Sequence, residues 1–459
     1  MRYSFRTELA DHAPEDVFDW HERLGAIERL TPPWADVEVL HRSGGIQDGA
    51  AISLRIRRGP TRLRWDLTHR DYEYGKQFRD EQVRGPMKSW VHTHGFEATP
   101  TGGTVVSDAL QIELPGGPAG AAFGRSFIKR ELESLFQFRY RRLFTDLTRH
   151  AKYRDRKPLR VAITGASGMV GSNLKQFLST GGHDVVSLVR DRRLIDDRSV
   201  FWDPAAGVLD PANLEGVDAV VHLAGTSIAS GRWTESRKRS IKQSRLRGTE
   251  LLSSTLATMK NGPRVLVSAS AVGFYGDQGN KIITEAAPSG KGFLAEVCHG
   301  WEAATDLAER AGVRVVTLRT GVALSPKGGA VGQMLLPFKM GAGGRLGSGK
   351  QYVSWIDLDD LLGVILHAIQ EDSLRGPVNA TSPNPVTNAS FTSALGRALG
   401  RPTIVPVPAL AVKALFGELG KEALLMGQRV QPTKLIESGF EFFYEGVEDS
   451  LRFQLGRML

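Results

Sequence analysis

Hydrophobic and polar positions alternate with period two through most of the first quarter of the chain. The runs "RYSFRTEL", "ADVEVLHR", "AAISLRIRR", "TRLRWDLTHRDY", "KQFRDEQV", "SWVHTHGFEA" and "GTVVSDALQIEL" carry this pattern, with turn-forming residues between them. Such alternation predicts strands of an antiparallel sheet with one face covered. "APEDVFDWHER" interrupts it, and its early Pro14 and following acids mark a helix start. After "LPGGPAG" the period changes: Phe127, Leu132, Leu135, Phe136, Leu143 and Leu147 recur at helical spacing. Residues 1–150 are therefore expected to form an α+β domain, a sheet wrapped on a long helix. The interior between them is either a hollow or a filled core.

The pattern changes again after "AKYRDRKP", residues 151–158, which is charged, lacks apolar periodicity and reads as a linker. Five strand-length apolar runs follow, "LRVAIT", "HDVVSLV", "DAVVHLA", "RVLVSAS" and "VRVVTLR". The spans between them are long enough for helices, which predicts an α/β domain over 159–400 with a parallel, doubly wound sheet. Residues 401–459 read as a small helical cap.

Composition narrows the setting. The longest apolar runs are strand-length, so no membrane span is expected. Charges interrupt the N-terminus where a signal peptide needs a continuous apolar core. The single cysteine, Cys298, excludes an internal disulfide framework and fits a reducing, cytoplasmic setting. Net charge is +9, with twelve Lys/Arg against four Asp/Glu between Arg125 and Arg160. With no nucleic-acid motif beside it, that basic stripe reads as a solvated helix face, and no nucleic-acid partner is expected.

The strongest chemical signal is "RVAITGASGMVGSNLKQFL". A buried-type strand ends at Thr164, and Gly165, Gly168 and Gly171 follow at G-x-x-G-x-x-G spacing before a helical pattern. In this strand–turn–helix context the motif reads as a dinucleotide site, with main chain from Gly165 through Ala166, Ser167, Gly168, Met169 and Val170 facing the diphosphate. At the end of the second strand stands Arg190, followed by Asp191. A guanidinium there suits the 2′-phosphate of NADP, so NADP is expected over NAD. Ligands of such sheets lie at the C-terminal strand ends. That adds Leu223, Ala224 and Gly225, then Ser268 and Ser270, then Thr320, Gly321 and Val322.

These segments, with "GRWTESRKRSIKQSR", "SASAVGFYG", "FLAEVCHGWE", "GGRLGSGKQYVSWIDLDD" and "NATSPNPVTNASF", resemble the extended short-chain dehydrogenase/reductase superfamily. Within it, residues 159–457 look like the atypical epimerase-family branch with a C-terminal domain of unknown function. The first 150 residues, through their element order and "ERLTPPW" and "HRDY", resemble the START-like (SRPBCC) helix-grip domain, which implies an apolar ligand cavity. The fold expected as a whole is a Rossmann domain with a small helical C-terminal cap, preceded by an α+β helix-grip domain.

The superfamily's Tyr-x-x-x-Lys pair is missing from 159 onward; aligned on Glu302, Leu294 and Cys298 stand in its place. "YEYGK" spaces Tyr72 and Lys76 correctly but lies in the first domain, outside the nucleotide fold. Ser270 matches the catalytic Ser and is expected to orient a substrate oxygen. Tyr275, on the loop after that strand near where substrate would enter, is the candidate proton donor if cofactor charge lowers its pKa, and otherwise lines the pocket. Cys298 on an apolar helix reads as packing. Lys350 and Gln351 are candidates for contacts to phosphate or sugar hydroxyls. Asp357, Asp359 and Asp360 read as helix caps, and no metal site is expected. The resemblance implies an NADP-dependent oxidoreductase or epimerase-like enzyme, acting on a small molecule such as a sugar- or phosphate-bearing metabolite. The alternative is a non-catalytic NADPH-binding sensor or ligand-binding protein.

Overall fold

The computed structural model describes residues 1–229 and 231–458, with backbone alone described at 118–123. The chain forms two compact units. The first comprises Met1–Arg156 and two short later stretches, the second Lys157–Leu178 and His183–Leu455.

In the first unit, β1 (Arg2–Leu9) is followed by helices α1 (Pro14–Glu22) and α2 (Ala26–Leu30). Then come β2 (Asp36–Ser43), β3 (Ala51–Arg58), β4 (Thr61–Glu73), β5 (Gln77–Arg84), β6 (Ser89–Ala98), β7 (Thr104–Glu113) and α3 (Gly117–Ala151). The seven strands form one antiparallel sheet in the order β1-β7-β6-β5-β4-β3-β2. This is the expected helix-grip arrangement. Along α3, Leu132 and Phe136 pack on Leu110 and Ile112, while Leu143 and Leu147 join Phe18, Phe78 and Phe96. The helix starts ten residues before Phe127. Phe127 itself is exposed on the surface, under the Arg58 guanidinium. The interior is not apolar throughout: Arg29 and Asp146 form a buried ion pair at 2.6 Å.

The second unit opens with β8 (Arg160–Thr164), α4 (Met169–Thr180), β9 (Asp184–Val189), β10 (Ser199–Phe201), β11 (Ala219–His222), α5 (Glu235–Thr258) and β12 (Val265–Ala271). It continues with β13 (Ile282–Ile283), α6 (Phe293–Ala303), α7 (Asp306–Arg310), β14 (Arg314–Thr320), β15 (Val322–Leu324) and α8 (Gly329–Lys339). Next are β16 (Tyr352–Val353), β17 (Trp355–Asp357), α9 (Leu358–Gln370) and β18 (Gly376–Ala380). The main sheet is parallel, in the order β10-β9-β8-β11-β12-β14-β18. Its inner strands are buried on both faces, as a doubly wound sheet requires. The edge strands β10 and β18 escaped the sequence pattern, being short and, in β18, carrying Pro377.

The remaining helices are α10 (Asn388–Leu399), α11 (Ala409–Phe416), α12 (Thr433–Glu437) and α13 (Val447–Leu455). Leu451 and Leu455 of α13 share a core with Phe391 and Leu395 of α10. The C-terminal segment is thus part of the second unit's body. Asp357 caps α9, accepting from the Asp359 amide at 2.7 Å, and Asp360 accepts from the Phe443 and Tyr444 amides. Among the described residues no helix is long and apolar enough to cross a membrane.

Candidate functional site

The turn between β8 and α4 is shaped by close approaches. Gly165 has φ +68°, and a Cβ there would lie 2.9 Å from the Leu223 carbonyl carbon. A Cβ on Gly171 would lie 2.2 Å from the Gly165 oxygen. Only glycine fits at both, so the main chain packs tightly where β8 turns into α4 beside the end of β11. The amides of that turn, beginning at Met169, have no partner within the helix and face outward with the positive end of its dipole. The Gly168 amide is used differently, closing the turn onto the Gly165 oxygen at 2.9 Å.

Thr164 braces this turn from beneath. Its Oγ1 accepts from the Leu223 and Ala224 amides at 3.1 and 3.2 Å and meets His222 Nδ1 at 2.7 Å. With both acceptor positions of Oγ1 filled, its own proton goes to His222. Burial, with the Arg245 charge nearby, pushes His222 down to about 3, so the imidazole is neutral and can accept. Gly225 follows, and the Arg245 guanidinium lies 3.2 Å from where its Cβ would be.

At the end of β9, Arg190 is exposed. The neighbouring Asp191 is engaged by Arg193, through its amide at 3.0 Å and its guanidinium at 2.7 Å. Thr320, Gly321 and Val322 lie where β14 passes into β15. A Cβ on Gly321 would come 2.6 Å from the Ser354 oxygen, and the Val322 amide donates to that same oxygen at 2.8 Å. Ser268 lies deeper. It pairs with His222 inside the sheet, is fully enclosed, and its hydroxyl has no partner among the described residues.

The C-terminal ends of β12, β14 and β18 hold a connected polar network. Ser270 Oγ donates to Glu302 Oε1 at 2.7 Å. Arg319 forks onto both oxygens of Glu302, Nε at 2.9 Å and Nη2 at 2.8 Å. Its remaining nitrogen donates to the Tyr275 hydroxyl at 2.9 Å, and that hydroxyl donates to Asn379 Oδ1 at 2.7 Å. Sequence reasoning used Glu302 only as an alignment mark and missed Arg319 and Asn379. Their types are ordinary for strand and helix ends, and only the sheet order brings them together.

Tyr275 departs from its expected place. It ends a short 3₁₀ turn (Val272–Tyr275) and is fully buried, not at an open entrance. Burial pushes its phenol up, which Arg319 and Asn379 only partly offset, so it is a weaker acid than a free tyrosine. Cys298 is also buried, and burial with Glu302 nearby pushes its thiol up to about 11. His299 on the same helix is exposed. The Gln351 amide nitrogen donates to the Leu346 and Leu424 carbonyls. Lys350 is exposed.

Three family matches cover most of the chain. Residues 161–380 match the NAD dependent epimerase/dehydratase family, residues 407–454 a domain of unknown function, and residues 10–138 the polyketide cyclase/dehydrase and lipid transport family. An epimerase family protein of Mycobacterium bovis is 45% identical over 297 residues, covering 65% of this chain and 98% of the relative. The chain belongs to the epimerase family. A crystal structure titled as a nucleoside-diphosphate sugar epimerase from Corynebacterium glutamicum is similar over 99% of this chain and 90% of its own, at 33% identity and TM-score 0.81. The crystal structure of a human epimerase family protein with NADPH is similar over 65% of this chain and 99% of its own, at 33% identity and TM-score 0.60. The epimerase-family part is thus of the atypical branch, and an SRPBCC-type domain stands before it.

Proposed function

We propose that the second unit binds NADP(H) in preference to NAD(H) and acts as an oxidoreductase or epimerase-like enzyme on a small sugar- or phosphate-bearing metabolite. The tight strand-to-helix turn that Gly165 and Gly171 make possible carries this reading, because a side chain at either position would collide with neighbouring main chain and force the turn open. The human relative's structure with NADPH supports the choice of nucleotide. Bound there, a nicotinamide supplies or accepts hydride.

The chain's own residues do the rest. Main chain from Gly165 to Val170 holds the diphosphate. Arg190 grips the 2′-phosphate, for which it is exposed while Asp191 is engaged by Arg193. Leu223, Ala224 and Gly225 give passage to the adenosine side, and Thr320, Gly321 and Val322 border the far side. Ser270 orients a substrate oxygen. Glu302, which already accepts the Ser270 proton, is the group placed to take it up, and Arg319 fixes that carboxylate in position. Ser268 and Tyr275 support the site from within. The first unit, with a cavity of about 110 Å³ between its sheet and helices, would take a small, largely apolar ligand.

A second reading, a non-catalytic NADPH sensor, is favoured by one observation: the Ser270 and Tyr275 hydroxyls are both buried and both bonded within the chain. Turnover decides between the two. With a panel of nucleotide sugars, substrate-dependent NADPH oxidation or epimerisation is expected, and it should be lost in Ser270→Ala but largely kept in Tyr275→Phe. Tight NADPH binding without turnover on any member of the panel would favour the sensor.

A further inference from the structure

The first unit holds a buried polar row that its sheet register assembles. His69 of β4 lies opposite Asp80 of β5, and Asp80 lies opposite His92 of β6. His94, two residues along β6 and therefore on the same face, lies opposite Asp108 of β7. The five side chains thus share one face of the sheet. His92 and His94 are almost fully enclosed.

We propose that Asp80, His92 and His94 bind one divalent transition-metal ion of the zinc class, with Asp108 holding both imidazoles in the metal-binding orientation. The three donor atoms lie within 4.8 Å of one another. His94 Nε2 stands 3.3 Å and His92 Nδ1 4.0 Å from Asp80 Oδ2. Tetrahedral donors at about 2.0–2.1 Å from zinc are themselves roughly 3.3 Å apart, so small side-chain adjustments close the set. Two imidazoles and one carboxylate form a donor set suited to zinc and its neighbours.

The second layer is already in place. Asp108 Oδ1 lies 2.8 Å from His92 Nε2 and 2.9 Å from His94 Nδ1, the ring nitrogens on the far side from Asp80. Tyr140 of α3 donates to its other oxygen at 2.7 Å. A carboxylate bonded to the second nitrogen of a liganding histidine fixes its tautomer and ring plane. The row carries two carboxylates, with the Arg139 guanidinium on the same cavity, so the site offers negative charge to a dication. Asp80, His94 and His69 also line the cavity of the first unit, so an ion here would keep a coordination position open to a small molecule. His69 Nδ1 lies 2.7 Å from the other oxygen of Asp80, at the end of the row.

The competing arrangement is metal-free: an imidazolium at His94 held between Asp80 and Asp108. The test uses the full-length chain, stripped with a chelator and dialysed against micromolar zinc, with bound metal measured by elemental analysis. Cobalt(II) serves as a spectroscopic probe. One zinc per chain is expected, with cobalt giving the intense visible bands of a low-coordinate site that zinc then displaces. His94→Gln and Asp80→Asn should each lower zinc affinity by more than about tenfold, and Asp108→Asn by about 10–100-fold. His21→Gln, in the same cavity but outside the row, should leave it unchanged. Failure of the stripped wild-type chain to take up zinc would overturn the proposal whatever the variants do. So would undiminished uptake by a folded His92→Ala/His94→Ala double variant.

Discussion

Arg190 and Arg319 have the same side chain and opposite circumstances. Arg190 is exposed at the end of β9, where it can fork onto a phosphate without first losing a partner. Charge-assisted hydrogen bonds contribute about 1.5–3 kcal/mol, so Arg190→Ala should cost NADPH about 10- to 150-fold in Kd and leave NADH nearly unchanged. Equal losses for both nucleotides would remove Arg190 from the 2′-phosphate. Arg319 is buried and shares its charge with Glu302. Replacing it with Met strands the Glu302 carboxylate at the C-terminal ends of β12 and β14, which typically costs about 3–5 kcal/mol and should appear as a marked fall in Tm. The double variant Arg319→Met/Glu302→Gln should recover part of that loss. Gly171→Ala would place a methyl group 2.2 Å from the Gly165 oxygen. The turn must then move, and NADPH affinity should fall at least tenfold while the far-ultraviolet circular dichroism stays native.

At the level of elements, the junction of β8 with β11 depends on a neutral His222. Its folded pKa is about 3, against an ordinary value of 6.5. A base whose pKa is lowered by folding stabilises the native state above the unfolded pKa, and that contribution is lost as pH falls from 6.5 toward 3. One group contributes at most about 1.4 kcal/mol per pH unit across that window. His222→Gln, which keeps an acceptor for Thr164, should therefore show a shallower loss of stability between pH 6 and 4 in denaturant titrations. An unchanged slope would mean that His222 is already charged in the fold.

Legibility in the sequence follows from how local each signal is. The glycine turn was readable because Gly165 and Gly171 and the helix that follows are contiguous, and period-two alternation gave every strand of the first sheet. Ser270 was readable as a strand-end position. Glu302 and Arg319 were not, since their pairing depends on α6 returning over β12 beside β14, a matter of topology. Tyr275 was misplaced for a related reason: "VGFYG" has the composition of an open loop, but it folds as a tight turn beneath Arg319 and Asn379. The His92/His94 row was hidden inside an alternation that reads equally well as sheet surface, because alternation does not say which face the long helix covers.

For the molecule as a whole, the central claim is that the strand–turn–helix at Gly165–Gly171 holds a pyridine dinucleotide and distinguishes NADP(H) by Arg190. Isothermal titration calorimetry of the full chain with NADPH and NADH tests this most directly. The expected result is one NADPH site per chain, at least tenfold tighter than for NADH, with the preference abolished in Arg190→Ala. A folded protein giving no binding heat with either nucleotide, at more than one temperature, would contradict it.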